Sequence, residues 1–178
     1  LIPTNTFVLL FWAAPHLVQP LSFMSLPFLF ITTFMLPILS LGVLKASGSI
    51  SSFKMENRED RLVPFVYIFL FFVITCYLFI FKIGVNDLVA TIFVTTTVLI
   101  LVLTVVTFRF KVSIHAASMT GLLGYLFAIQ NRIPEQSILW MIITVLILSG
   151  GVMSARLYLQ AHTIKEILVG ALLGFVIC

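Results

Sequence analysis

Residues 154–166 read SARLYLQAHTIKE. In a chain that is 61% apolar and 9% charged, this one segment gathers Arg156, Gln160, His162, Lys165 and Glu166 beside stretches that otherwise read as hydrocarbon. Ionisable groups are costly next to a bilayer and mark functional sites there. His162 and Glu166 are four residues apart, one helical turn, so the carboxylate can accept from one imidazole nitrogen and leave the other pointing outward in a fixed tautomer. Arg156 does not fit the same helix. At about 100° per residue it would lie roughly 240° round from His162, and both reach one ligand only if the helix ends between them. The spacing predicts that Arg156 closes one membrane helix, that Gln160 and Ala161 lie near a turn, and that His162 opens the next helix.

Outward from this segment, the chain supplies helices to carry it. Over 178 residues the mean hydropathy is +1.23, which excludes an ordinary soluble domain, and several apolar runs are long enough to cross a bilayer. We read a single domain over residues 1–178: an all-α, multi-pass transmembrane helical bundle with six core helices and a short or truncated first helix. Crossings are expected over about 21–44, 64–81 and 88–108, then one ending near Gln130, one near Met153 and one following Glu166. The first 14 residues are too few to span alone. They lack a Met start and a basic region, so a helix cut short is expected there rather than a targeting segment, and the last helix likewise stops in mid-run at Cys178.

Within these runs, Pro27 and Pro37 are of the kind that membrane helices tolerate. Thr95, Thr96 and Thr97 can return their hydroxyls to the preceding turn, and Gly170 and Gly174, spaced as GxxxG, permit close helix packing. Cys76 and Cys178 lie in apolar runs and read as packing residues. His16 reads as a hydrogen-bonded histidine in an interfacial turn.

Two further polar groups stand out. In KMENREDR, residues 54–61, Lys54, Arg58 and Arg61 fall at spacings of four and three, so a helical turn would line them on one face as an anion clamp. From that segment alone, a positive-inside loop with self-paired charges is the weightier reading. In RFKVSIHAAS, residues 109–118, Lys111 and His115 are four apart and are expected to share a helix face with Ser113 near its start, gathering a charge, a hydroxyl and an imidazole at a helix N-terminus, where free N–H groups and the dipole favour an anion. Counting crossings places all three groups on one side of the membrane. Eight of the ten Lys and Arg residues fall on that side, but setting aside the expected anion ligands Lys54, Arg61, Lys111 and Arg156 leaves four against two, so the count leaves the orientation open.

Together these three segments resemble the signature of the type 2 phosphatidic acid phosphatase (PAP2) superfamily in its membrane branch, KxxxxxxRP, then PSGH, then SRxxxxxHxxxD. Lys54 and Arg61 keep the first spacing, Ser113 and His115 the second, and Arg156, His162 and Glu166 the third. The chain departs at Leu62 and Val112, where the family has proline, at Ile114 for glycine, at Ala155 for serine, and at Glu166 for aspartate.

The resemblance implies a metal-independent phosphoric monoester hydrolase with no cofactor. His162 would be the nucleophile that forms a phosphohistidine, oriented by Glu166, and His115 the general acid for the leaving lipid oxygen and the base for water. Lys54, Arg61, Ser113 and Arg156, with Lys111 and Arg58, would bind the phosphoryl oxygens. The implied partners are membrane lipids and a lipid phosphate such as isoprenyl diphosphate, phosphatidic acid or phosphatidylglycerol phosphate, with no nucleic acid, and the expected location is a bacterial inner membrane. Two rival readings accompany this one: a non-catalytic lipid-phosphate carrier on the same scaffold, and an intramembrane metal-dependent protein using His115, His162 and Glu166.

Overall fold

The computed structural model describes residues 2–13, 18, 21, 25–48, 59–132 and 138–178, and among these all regular structure is helical. In order the helices are α1 (Ile2–Ala13), α2 (Ser25–Phe30), α3 (Leu36–Ala46), α4 (Glu59–Tyr77), α5 (Asp87–Thr107), α6 (Ile114–Arg132), α7 (Leu139–Tyr158) and α8 (Ile164–Ile177). A π-helical stretch, Ile31–Met35, joins α2 to α3, so Ser25–Ala46 runs on as one rod. Its cause is close by: Pro37 has no N–H for the carbonyl four residues back, and the wider π turn absorbs the misfit. A second π stretch, Leu78–Ile83, ends α4 at Gly84, whose φ of 73° closes the helix in the left-handed conformation that glycine adopts without a side-chain clash.

Among the described residues, four helices are long and apolar enough to cross a membrane: Ser25–Ala46, Val63–Ile83, Asp87–Thr107 and Leu139–Tyr158. They match the second, third, fourth and sixth predicted runs, with ends moved by a few residues. Their outward faces are apolar, as on α7, where Leu146, Ile147 and Leu148 are 58%, 69% and 55% exposed. Such a surface suits lipid and not water. The predicted fifth and seventh crossings, α6 and α8, are not among the four. α6 is less apolar, carrying His115, Ser118, Thr120, Gln130 and Asn131, and it is the helix most enclosed by protein, with ten buried residues. α8 has 14 residues.

The chain divides into two compact units, Pro3–Arg109 and Phe110–Cys178. The first is held by α4 against α5 and by the Ser25–Ala46 rod against α4, around a chain of rings: Phe28 to Phe79 at 5.8 Å, Phe79 to Phe93 at 4.6 Å and Phe93 to Phe7 at 5.3 Å. The threonines behave as their sequence predicts. Thr95, Thr96 and Thr97 donate to the carbonyls of Thr91, Ile92 and Phe93, each at 2.7 Å.

The second unit packs α6 against both α8 and α7. Small residues make the α6–α8 contact close: a Cβ on Gly170 would lie 2.5 Å from the Ser113 carbonyl oxygen, and one on Gly174 would collide with the Ala117 carbonyl. The GxxxG spacing is therefore the seam on which α8 meets α6.

Candidate active site

The break predicted between Arg156 and His162 is present, and its geometry is fully determined by the chain. α7 ends at Tyr158, and the Ala161 N–H reaches back to the Arg156 carbonyl at 3.1 Å while the Gln160 N–H donates to Leu157 at 2.9 Å. This closing turn needs one left-handed residue, and Gln160 takes it with a φ of 51°. Thr163 then caps α8, its hydroxyl accepting from the Glu166 N–H at 3.4 Å, while Glu166 Oε2 accepts from the Thr163 N–H at 3.3 Å. The pair is a capping box.

His162 stands just before that cap, and its Nδ1 donates to the same Glu166 Oε2 at 2.7 Å. The expected His162–Glu166 pair is present, but not as two residues on one helix face. His162 lies in the turn and Glu166 in the first turn of α8, and the box fixes the carboxylate between them. One oxygen serves both the helix end and the imidazole. With its side chain 5% exposed, His162 is held with Nδ1–H toward the carboxylate, so the neutral ring carries its lone pair on Nε2.

The segment before α6 differs from the sequence expectation. α6 begins at Ile114, so Lys111 and Ser113 precede it and do not share a helix face with His115. Ser113 is fully buried. Its N–H donates to the Glu166 carbonyl at 3.2 Å and its hydroxyl accepts from the Ala116 N–H at 3.4 Å, so it caps α6 and ties that helix to the first turn of α8. Lys111 instead lines a cleft of about 270 Å³ with Leu157, Gln160, Ala161, His162, Thr163 and Glu166.

His115 stands in the first turn of α6, and its Nδ1 lies 2.9 Å from Arg156 Nη2. The partial burial of the ring, then the Arg156 guanidinium, then His162 hold its pKa below the ordinary histidine value. Arg156 Nε is buried and has no hydrogen-bond partner among the described residues.

Within the second unit, then, the N-terminus of α6, the C-terminus of α7 and the N-terminus of α8 bring together Lys111, Ser113, His115, Arg156, His162 and Glu166. Lys54, Arg58 and also His16 lie outside the described residues, and Arg61 is placed only as a backbone position within α4. Among the described residues no three His, Cys, Asp or Glu side chains gather as a metal ion would need.

Thr163, Gln160, Gly170 and Gly174 were not singled out as site residues by their chemistry, yet they set where the two histidines stand. The signal for Thr163 was there, since TIKE, residues 163–166, is a capping-box string.

The geometry now has an independent counterpart. Residues 106–178 match the PAP2 superfamily. This stretch takes in the second and third motifs and every site residue that the second unit brings together. No curated protein and no solved structure matches the chain. The PAP2 match supports a phosphoesterase role, and the four spanning-length helices fit a membrane setting.

Proposed function

We propose that the protein is a membrane lipid phosphatase that hydrolyses the phosphate or pyrophosphate monoester of an amphiphilic lipid through a phosphohistidine intermediate, without a metal. The observation that carries this reading is the 2.7 Å bond from His162 Nδ1 to Glu166 Oε2. A carboxylate that accepts the hydrogen bond of one imidazole N–H leaves the lone pair on the opposite nitrogen, which a nucleophile needs.

In the first half-reaction His162 Nε2 attacks phosphorus, the P–O bond to the lipid breaks, and His115 donates its proton to the leaving oxygen. Glu166 offsets the charge that grows on His162. In the second, His115 takes a proton from water, whose oxygen displaces His162 and releases phosphate. Arg156 and Lys111 bind the phosphoryl oxygens as charge spreads over them, with Lys54 and Arg61 proposed to join them on the strength of the first motif and Arg58 on its spacing from both. Ser113 supports the site from behind, as the cap that joins α6 to α8. The substrate is an amphiphile whose head group enters at these helix ends while its chain stays in lipid; isoprenyl diphosphate, phosphatidic acid and phosphatidylglycerol phosphate have that form. We place the protein in a bacterial inner membrane.

The test is phosphate release by the purified protein in detergent over a panel of lipid phosphates. Orthovanadate should inhibit it, and His162→Ala should abolish it while leaving the helical circular dichroism unchanged. Inhibition by chelator with no effect of vanadate would favour a metal-dependent site. Saturable binding of a lipid phosphate with no release would make the protein a carrier.

A further inference from the structure

The contact between Arg156 and His115 constrains the chemistry more than proximity alone. A guanidinium has N–H donors and no acceptor, so the 2.9 Å approach of Arg156 Nη2 to His115 Nδ1 requires a lone pair on that nitrogen. His115 in this arrangement is neutral and carries its single proton on Nε2. A neutral imidazole is a very poor acid, so the donor needed at the leaving oxygen is not present while Arg156 stays docked.

The dock is also easily exchanged. It is made by one hydrogen bond and leaves Arg156 Nε buried without a partner among the described residues, whereas a phosphate could accept two parallel bonds from the same guanidinium.

We propose that Arg156 holds His115 neutral until an anion draws the guanidinium away, so that the proton donor is set only when a phosphate occupies the site. The inference rests on the phosphatase reading above and makes Arg156 a positioning residue for His115 as well as an anion ligand. On binding, Nδ1 takes a proton from solvent and Nε2–H becomes the acid. After donation the proton remains on Nδ1 and Nε2 is the base that accepts the proton of water. When phosphate leaves, the returning guanidinium displaces the Nδ1 proton to solvent, and the cycle closes without net gain or loss. Among the described residues, the charged groups and histidines at the helix ends that meet at the ring are the following. α7 presents Arg156; the α7–α8 turn and α8 present His162, Lys165 and Glu166; Lys111 precedes α6. Of these, Arg156 and His162 act on His115 against protonation.

The test uses the full chain in detergent with ¹⁵N-labelled histidine, the signals of its three histidines assigned through His115→Gln and His162→Gln. Without anion, His115 Nδ1 should show the shift of an unprotonated nitrogen at neutral pH and titrate at low pH. Saturating orthovanadate or inorganic phosphate should move the titration upward. Arg156→Ala should move it upward with no anion present, and Arg156→Met, which keeps the apolar stem, replaces it if the alanine variant misfolds. An unchanged His115 titration in both variants, or an Nδ1 already protonated at neutral pH without anion, overturns the proposal. The two readings fail separately: phosphate release with a His115 titration indifferent to Arg156 removes the gate, and the expected titration in a protein that releases no phosphate from any lipid removes the phosphatase.

Discussion

If the α6–α8 seam sets the distance between the two histidines, one methyl group at Gly170 should damage both stability and rate. The Cβ of Gly170→Ala would meet the Ser113 carbonyl oxygen at 2.5 Å, with Val112 Cγ1 at 3.2 Å and the Ser113 carbonyl carbon at 3.3 Å. Ordinary contact begins at 3.4 Å, so the helices must separate by about 0.9 Å at this point. The obstacle is backbone and cannot rotate away. The same separation would stretch the 3.2 Å bond from the Ser113 N–H to the Glu166 carbonyl, the link that registers His115 on α6 against His162 beside α8.

Overpacking of this kind costs about 1–3 kcal/mol, and a misplacement of about 1 Å can cost about 10²-fold in rate. The assay pairs thermal unfolding in detergent with phosphate release. Gly150→Ala is the control, because a Cβ there meets nothing within 4 Å, and replacing a helical glycine with alanine should be neutral or stabilising by up to about 1 kcal/mol. A Gly170→Ala protein that melts and turns over like the parent would refute the seam as the element that positions the site.

Other changes test single parts. His162→Ala should abolish phosphate release, and His115→Ala should lower it by about 10²–10⁴-fold, the usual yield of a general acid–base group, with binding of phosphate retained in both. Glu166→Gln can offer an N–H to His162 Nδ1 and favour the wrong tautomer; kcat should fall by up to about 10⁴-fold, as initial rates at saturating substrate would show. Thr163→Ala removes the cap of α8 and should cost about 1 kcal/mol in unfolding free energy, with a smaller loss of rate as Glu166 loosens. Since the His115 pKa is held below its ordinary value, the unfolded chain takes up that proton first as pH falls. The contribution is intact above about pH 6.5 and is lost as pH drops through the window down to the folded value; melting curves against pH should flatten there in His115→Gln.

What could be read from the sequence divides along physical lines. The helical runs were legible because the hydrophobic requirement of a bilayer is imposed residue by residue, and the break before His162 was legible because an angle between two side chains is arithmetic on a helix. The start of α6 was not placed correctly. Lys111, Ser113 and His115 have helical spacing, and nothing local says that Ser113 is the cap and that Lys111 lies outside. The Arg156–His115 contact joins residues 41 apart, a distance over which no periodicity speaks. Glycine spacing announced that α8 could approach something closely, but identified neither α6 as the partner nor the Ser113 and Ala117 carbonyls as the contact.

Gln160 shows how closely stability and site are coupled in so small a unit. Its φ of 51° is a conformation that glycine adopts at little cost and other residues adopt at roughly 1 kcal/mol or more, and the turn it closes would be more stable with glycine. Glutamine stands there nonetheless, and it lines the same cleft as Lys111, His162 and Glu166. If packing alone governed the position, Gln160→Gly would raise the melting temperature and leave turnover untouched. We expect the first and not the second: a gain of up to about 1 kcal/mol together with a raised KM, if the amide helps to hold the proposed head group. A variant that is stabilised with unchanged KM across the lipid panel would show that the turn tolerates glutamine without using it.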